Sequence, residues 1–342
     1  LCNVSLGNIA LIVAPITGQE LFADTAQTRA RIDEAVAYAS RLGARTISLT
    51  GLIPAATDLG AALTPVENVQ LTTGHAATAA SMALTIQAMA VNAGRDMRRA
   101  RMCFVGLGAI GTATLRTLLS CLVHPAALLL CDVPAKRGHL EALAREARAV
   151  LGYRGEIVIV ESTVALPENA YQADWFIGAT NTTGVIDVRQ LKPGAIIVDD
   201  SFPLCFDLEA AKRRLETSGD ILFANGGSVS LKEPMQWTCT LPPGLPALSR
   251  GLLSQAMLPS NDMITGCIVS SLLPAAEGFE PTVGTVTLDH CRDYWHGFQR
   301  LGLAAAPLHC GGWSPSASDI DRFRAVVAGS PVVQESQVRL AP

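Results

Sequence analysis

Short apolar runs alternate with longer helix-forming stretches along most of the chain. A continuous apolar run of about four to eight residues is typical of a strand that is buried on both faces of a parallel sheet. Such runs predict strands at 9–14, 45–49, 102–105, 126–131, 156–160, 175–179, 195–198 and 221–224. The pattern predicts helices over 27–42, with Asp24 as N-cap, and over 76–93, 112–122 and 208–216. Strands and helices in this order favour an α/β fold.

The last third of the chain departs from this alternation. Residues 234–249 are rich in proline and predict irregular structure. The apolar stretch 261–277 predicts a helix, and 286–301 predicts a second one. From Gly311 onward the pattern is weak, so we expect a peripheral tail over 311–342.

A glycine motif follows the run at 102–105. Gly106, Gly108 and Gly111 have G-x-G-x-x-G spacing and stand between a predicted strand and a predicted helix. In a dinucleotide site the first glycine makes the tight turn, the second admits a pyrophosphate, and the third lets the helix pack on its strand. Ala109 and Ile110 would offer their N–H groups at the helix N-terminus. The context predicts a Rossmann-like doubly wound parallel sheet that binds a dinucleotide.

The choice of cofactor depends on the end of the next strand. Asp132 ends that strand, and an acid there hydrogen-bonds both ribose hydroxyls and repels a 2′-phosphate. Asp132 therefore favours NADH, while Lys136 and Arg137 leave NADPH open. Thr180 and Asn181 follow a later strand, as cofactor-binding residues or as an ordinary capped turn.

Two further segments carry candidate site residues. Gly226 and Gly227 form a second glycine-rich turn, which we assign to the cofactor site. Cys267 is either a nucleophile or a buried structural thiol, since no basic residue adjoins it in the sequence. His75 begins the alanine-rich helix and is either a proton donor or a solvated turn residue.

Composition narrows the functional classes. The chain has 342 residues, 49% of them apolar and 16% charged, so it can bury a large core. A net charge of −4 and the absence of a long apolar run argue against nucleic-acid binding and a transmembrane segment. Nine cysteines without a CxxC pair predict reduced thiols in a cytoplasmic protein. Because the chain begins with Leu1, we expect that an upstream segment was removed or belongs to a larger polypeptide.

No metal site is predicted. The chemistry-bearing side chains of the last third match no zinc spacing; they are His290, Cys291, His296, His309 and Cys310.

The order of motifs resembles the cyanobacterial-type long-chain acyl-[acyl carrier protein] reductases, which release a fatty aldehyde. The resemblance covers roughly residues 10–311. It is carried by the 29–42 helix with Gly43-Ala44-Arg45, Gly51-Leu52-Ile53, Thr72-Thr73-Gly74, the motif glycines, Ile197 to Pro203, Gly226-Gly227, and the cysteine segment that ends in Glu277-Gly278.

The resemblance implies a reaction. Cys267 would accept the acyl group of an acyl-carrier-protein or coenzyme A thioester, and a nicotinamide cofactor, generally NADPH in that family, would reduce it to the aldehyde. It implies a catalytic unit built from both chain ends around residues 1–94 and 229–310, flanking a dinucleotide domain at 95–228. A homo-oligomer is possible.

Two other functions stay open. A shikimate or amino-acid-type dehydrogenase would transfer hydride directly, although the lysine of its usual Lys–Asp pair has no counterpart before Lys136. A non-catalytic NAD(P)-binding sensor would keep the fold and lose the chemistry.

Overall fold

Six parallel strands form the main sheet of the protein in a computed structural model that describes residues 2–4, 7–14, 16–237, 261–274 and 278–328. Strands β5 to β10 form this sheet, and the others form smaller sheets. In chain order the strands are β1 (Cys2–Val4), β2 (Gly7–Ile9), β3 (Thr46–Ser48), β4 (Gln70–Thr72), β5 (Arg101–Val105), β6 (Ala127–Asp132), β7 (Glu156–Glu161), β8 (Trp175–Gly178), β9 (Ala195–Asp199), β10 (Ile221–Asn225), β11 (Ser228–Ser230), β12 (Gln236–Trp237), β13 (Met263–Thr265) and β14 (Ala304–Ala305).

The helices lie between these strands. They are α1 (Gly18–Ala23), α2 (Thr25–Arg41), α3 (Ile53–Ala56), α4 (His75–Ala93), α5 (Ala109–Cys121), α6 (Arg137–Ala149), α7 (Leu208–Ser218), α8 (Gly266–Val269), α9 (Leu288–Leu301) and α10 (Ala317–Ala328). Short 3-10 turns cover Met97–Arg99, Pro134–Lys136, Glu168–Gln172 and Val188–Gln190. No helix in the described ranges has the length and apolar character needed to cross a membrane.

The chain divides into two compact units. Unit 1 comprises Leu1–Ser81 and Ser228–Ala304, and unit 2 comprises Met82–Gly227 and the chain from Ala305 onward. Helix α4 begins in unit 1 and continues into unit 2. The sequence analysis, for comparison, predicts domain boundaries after residues 94, 228 and 310.

Unit 2 contains the parallel sheet, in the order β7-β6-β5-β8-β9-β10. Numbered within the sheet this is 3-2-1-4-5-6, the order of dinucleotide-binding Rossmann sheets. Alternate residues of β5 belong to different apolar clusters, with Phe104 in one and Cys103 and Val105 in the other. Because both faces of the sheet are buried, its strands are continuous apolar runs. The predicted α/β fold with a Rossmann-like parallel sheet is confirmed.

Unit 1 is built from both parts of the chain that flank unit 2. Strands β3 and β4 pair in parallel, and helix α2 packs its buried Ile32 and Val36 with Leu49 and Leu63. Asp24 caps α2 by accepting a hydrogen bond from the Gln27 amide, at the predicted position. Strand β1 pairs antiparallel with β2 and β12, and β11 pairs antiparallel with β13.

Two predicted elements differ in unit 1. Residues 261–277 are predicted to form one helix, but 263–265 form β13 because they pair with β11, and Gly266–Val269 form a short helix directly after it. Residues 275–277 lie outside the described part of the chain. The strand expected at 9–14 ends at Ile9, which pairs with Cys2, and the following residues are irregular.

The segment expected to be a peripheral tail contributes to unit 2. Its residues 317–328 form α10, on which Phe323 and Val327 are buried in an apolar cluster of the unit. Arg322 donates to the backbone oxygen of Glu216 at the end of α7. The weak pattern hid this helix because only two of its twelve residues are buried.

Candidate cofactor site and catalytic residues

The three glycines of the loop between β5 and α5 differ in whether the surrounding structure has room for a side chain. Gly106 has a positive φ of 87°, and a Cβ there would lie 2.5 Å from the carbonyl oxygen of Ala179. A Cβ on Gly111 would overlap the carbonyl oxygen of Gly106. At Gly108, in contrast, a Cβ would meet no protein atom within 4 Å. Packing within the protein therefore requires Gly106 and Gly111 but does not require Gly108.

The space at Gly108 opens onto a helix start. Gly108 is the N-cap of α5, and no side chain caps this end of the helix. Ala109 and Ile110 are partly exposed in the first turn, where helix N–H groups have no intrahelical partner. An uncapped helix start beside open space fits a pyrophosphate, whose negative charge the N–H groups and the helix dipole stabilise.

Asp132 lies at the end of β6 and is held by the glycine loop. Its Oδ2 accepts hydrogen bonds from the Leu107 amide at 2.8 Å and from Lys136 Nζ at 3.1 Å, and its Oδ1 accepts one from the Val133 amide. The position suits the predicted contact with a ribose. Lys136 is paired with Asp132 itself, so its charge is already balanced locally.

The second basic residue near this strand end is also paired. Arg137 donates to Glu161 at 2.6 Å and to Glu141 at 3.1 Å. These carboxylates raise the pKa of the Arg137 guanidinium, which stays charged but already has two partners. Lys136 and Arg137 therefore form no free basic pocket for a 2′-phosphate in this arrangement.

The remaining predicted cofactor residues follow β8 and β10. Thr180 contacts the loop, since its Cβ lies 3.0 Å from the Cβ position of Gly106, and its amide donates to Ser201 Oγ at 2.9 Å. Asn181 is exposed. A Cβ on Gly226 would overlap the sulfur of Met82, so no side chain fits there. Because the strands are parallel, these turns share the carboxyl edge of the sheet with Gly106.

Sequence reasoning assigned no role to the paired acids at the end of β9, where Asp199 is the last residue of the strand and Asp200 follows it. Asp199 accepts hydrogen bonds from the Ser201 and Cys205 amides at 3.0 and 2.9 Å. Asp200 lies against the second glycine turn, since a Cβ on Gly227 would overlap its Oδ1. Burial, together with the charge of Asp199, raises the pKa of Asp200 to about 8. The signal available in the sequence was an Asp-Asp pair at the end of an apolar run.

In unit 1, Cys267 is the first residue after the start of α8. A Cβ on Gly74 would lie 2.6 Å from the Cα of Cys267, so the turn before α4 fits against Cys267 only without a side chain. The Cys267 Sγ lies 3.3 Å from the Thr265 hydroxyl. Ser270 donates to the Cys267 carbonyl oxygen at 2.7 Å. The structure thus places Cys267 next to the Gly74-His75 turn.

His75 occupies the first position of α4. It is 8% exposed, and its Nδ1 has no hydrogen-bond partner among the described residues. Burial lowers the pKa of His75 to about 4, so the imidazole is neutral at neutral pH. A neutral His75 can accept or pass on a proton, but it supplies no positive charge to stabilise a thiolate.

An apolar cavity of about 630 Å³ lies within unit 1. Its lining includes Ile9, Ile32 and Val36. It also includes Ser48, which contacts the Cys267 backbone, and Ile268, which follows Cys267 in the chain. This volume is within the range of small-molecule pockets, which are mostly apolar and contain few polar groups.

Cys267 differs from most of the other described thiols in exposure. Cys267 and Cys121 are partly exposed, whereas Cys103, Cys131, Cys205, Cys291 and Cys310 are buried. Burial raises the pKa of several of these buried thiols, namely Cys103, Cys131, Cys205 and Cys310. Within the described ranges, no three His, Cys, Asp or Glu side chains come together as a metal site would require.

Comparison with known proteins gives structural neighbours of low similarity. No protein-family model matches the sequence, and no curated protein sequence matches it. Among solved structures, L-tryptophan dehydrogenase from Nostoc punctiforme aligns with 21% identity and a TM-score of 0.32, over 48% of this chain and 46% of that one. Shikimate 5-dehydrogenase from Listeria monocytogenes, solved with shikimate and NAD, aligns with 13% identity and a TM-score of 0.34, over 63% and 89%.

A third neighbour covers more of this chain. Glutamate dehydrogenase from Thermus thermophilus aligns with 14% identity and a TM-score of 0.38, over 94% of this chain and 71% of that one. The chain spans less than half the length of the tryptophan dehydrogenase and of Haloferax mediterranei glucose dehydrogenase. These neighbours are dehydrogenases. At these scores the likeness is one of fold.

Proposed function

We propose that this protein is an NAD(P)-dependent oxidoreductase. The observation that carries the proposal is the environment of Gly108. This residue lies beside open space at the start of a helix that no side chain caps, and the packing of the protein does not require a glycine there. Gly106 and Gly111 shape the loop around that space, and Asp132 would hold the adenosine ribose. The bound cofactor supplies hydride transfer, and the protein's residues bind it and orient it.

Substitution of Gly108 tests the cofactor site without disturbing the fold. Gly108→Ala adds a methyl group to empty space, so we expect an unchanged Tm and NADH binding at least about tenfold weaker, because the methyl group fills the place of a phosphate. Gly138→Ala is the matched control, since a Cβ at Gly138 also meets nothing within 4 Å and lies outside the loop. Fluorescence titration with NADH and with NADPH measures the affinity of wild type and of both variants. Wild-type protein that binds neither nucleotide would overturn the proposal.

The first of two reaction classes is direct hydride transfer, as in a shikimate or amino-acid-type dehydrogenase. Such a reaction requires a side chain that exchanges a proton with the substrate. His75 supports this class, because it is buried, is neutral at pH 7, and keeps Nδ1 without a described partner. No covalent intermediate is needed.

The second class is reduction of an acyl thioester, on acyl carrier protein or coenzyme A, to an aldehyde. The observation that favours it is the apolar cavity whose wall includes Ile268, next to the partly exposed Cys267. The Cys267 thiolate would attack the thioester carbonyl carbon, and the carrier would leave as its thiol after taking up the proton. Hydride addition at the acyl carbon followed by cleavage of the carbon–sulfur bond releases the aldehyde and the Cys267 thiolate, which can attack the next thioester.

Intact mass distinguishes the two classes. Wild type, Cys267→Ser and Cys121→Ser are incubated with a long-chain acyl-CoA without cofactor. The acyl-thioester class predicts one acyl adduct in wild type and in Cys121→Ser, its absence in Cys267→Ser, and its loss on addition of NAD(P)H. Absence of any adduct, together with NAD(P)⁺ reduction by shikimate or an amino acid, supports direct transfer. Cofactor binding without turnover of either kind supports a sensor.

A further inference from the structure

Asp200 is connected to the glycine loop through the ends of two strands. Its amide donates to the Gly178 carbonyl oxygen at 2.9 Å, at the end of β8. The residues that follow each strand are also joined, since the Thr180 amide donates to Ser201 Oγ. Thr180 in turn contacts the Gly106 position. Asp200 therefore belongs to the same edge of the sheet as the proposed cofactor site.

The carboxyl group of Asp200 is oriented by its contact with the second glycine turn. Any side chain at Gly227 would overlap Asp200 Oδ1, so this carboxyl oxygen lies directly on the Gly227 backbone. Asp200 is partly exposed, and no group in the described part of the chain hydrogen-bonds its carboxyl oxygens. The carboxyl group of Asp199 differs, because each of its oxygens accepts a hydrogen bond from a backbone N–H group. Asp199 thus supports the loop, while Asp200 keeps hydrogen-bonding capacity for a ligand.

The strand order indicates which part of a dinucleotide lies near Asp200. In a 3-2-1-4-5-6 sheet the adenosine half lies over strands 1 to 3 and the other nucleotide over strands 4 to 6. Asp132 ends strand 2, and Asp200 follows strand 5. We propose that Asp200 contacts the nicotinamide end of the bound dinucleotide and sets the relative affinity for its oxidised and reduced forms. The inference rests on the proposed cofactor site.

Charge is the physical basis of this selection. The oxidised nicotinamide ring carries a positive charge and the reduced ring is neutral, so an ionised Asp200 favours the oxidised form and a protonated Asp200 does not. The charged group that acts on Asp200 is Asp199, its neighbour in the chain. The thiols of Cys205 and Cys310 lie near Asp199 and are kept neutral by burial, and Asp199 disfavours a second negative charge at Asp200.

Proton linkage follows from this arrangement. Asp200, with a pKa of about 8, is protonated at pH 7 in the free protein. Binding of the oxidised cofactor brings a positive charge and lowers that pKa, so a proton is released to solvent and affinity rises with pH. Binding of the reduced cofactor brings no such charge and releases no proton.

The test compares dissociation constants of NAD⁺ and NADH, and of the NADP⁺/NADPH pair, between pH 6.5 and 8.5. For wild type, we expect the ratio of the oxidised to the reduced constant to fall about threefold or more as pH rises. Asp200→Asn should remove this pH dependence, while Glu209→Gln, which removes an exposed acid elsewhere, should retain it. Calorimetry of wild type in two buffers of different ionisation enthalpy measures the released proton without any variant.

The outcomes separate this inference from the proposed function. Binding with a pH-independent ratio and no proton release in wild type overturns the role of Asp200 and leaves the cofactor site intact. A pH-dependent ratio that persists in folded Asp200→Asn also overturns it. Failure of wild type to bind any of the four nucleotides overturns the proposed function and this inference together.

Discussion

The hydroxyl of Ser48 lies 2.5 Å from the backbone carbonyl oxygen of Cys267, although 219 positions separate the two residues. Ser270 reaches the same oxygen, and the two hydroxyls are 2.8 Å apart. Ser48 is the last residue of β3, so this contact attaches the start of α8 to the carboxyl end of the β3–β4 pair. Ligands of α/β sheets bind at such strand ends, and Cys267 is held there by its own backbone.

Replacement of Gly74 should show how tightly the turn fits against Cys267. Gly74→Ala places alanine at a strained positive φ of 71° and also brings its methyl group against the Cys267 backbone. Gly51→Ala introduces only the backbone strain of a φ of 61°, because a Cβ there meets nothing within 4 Å. We expect urea unfolding to give a loss of about 1 kcal/mol for Gly51→Ala and at least ~1–3 kcal/mol more for Gly74→Ala. Equal losses in the two variants would contradict the contact.

The burial of His75 should make stability depend on pH in a defined range. Its pKa is about 4 in the folded protein against 6.5 for an exposed histidine, so the unfolded chain binds the additional proton between these values. The free energy of unfolding is therefore unaffected by the protonation of His75 above pH 6.5. It decreases as the pH falls toward 4, by up to about 3 kcal/mol. His75→Gln should therefore lose less stability than wild type over this range. His296→Gln, at an exposed histidine, should follow wild type.

Asp132 should determine which nucleotide binds. Asp132→Ala removes the carboxylate that would accept the ribose hydroxyls, and it leaves Lys136 unpaired beside the same place. We expect the ratio of NADPH to NADH affinity to rise at least about tenfold, because the repulsion of a 2′-phosphate is lost. Direct titration of both nucleotides measures the ratio. An unchanged ratio in Asp132→Ala, with Glu209→Gln as the charge control, would exclude Asp132 from nucleotide selection.

Helix α10 should contribute to the stability of unit 2. Phe323 is fully buried in the apolar cluster that covers one face of the sheet. Its replacement by alanine should lower the free energy of unfolding by about 3–5 kcal/mol, since it leaves a cavity. Asp321→Ala changes an exposed position of the same helix and should cost no more than ~0.5 kcal/mol. A loss below about 1 kcal/mol for Phe323→Ala would mean that the helix is peripheral.

The parallel sheet was predictable because five of its strands are almost entirely buried, and only the edge strand β7 is partly exposed. Each is a continuous apolar run, and Gly106, Gly108 and Gly111 stand directly after the first, so local pattern and motif identify the same place. At 263–265 the local pattern does not distinguish a buried strand from a helix, and the deciding partner is β11, more than thirty positions earlier.

The contacts around the candidate catalytic residues were beyond sequence reasoning for a similar reason. Nothing in the residues around Cys267 indicates that Gly74 packs on its backbone or that Ser48 reaches its carbonyl oxygen. The roles of Asp199 and Asp200 also depend on which backbone groups face each carboxyl. Such relations arise only when distant strand ends meet.

The division of unit 1 between two distant parts of the chain has a consequence for its synthesis. All six strands of the parallel sheet lie between Arg101 and Asn225, so their pairing partners leave the ribosome in one continuous stretch. Strand β1 is translated before the sheet but pairs with β12, which is translated after it, and β11 pairs with β13, which is translated later still. Since domains generally form as their residues are translated, the sheet of unit 2 precedes the completed unit 1. Until β12 is translated, β1 can pair with β2 but not with its second neighbour in the sheet.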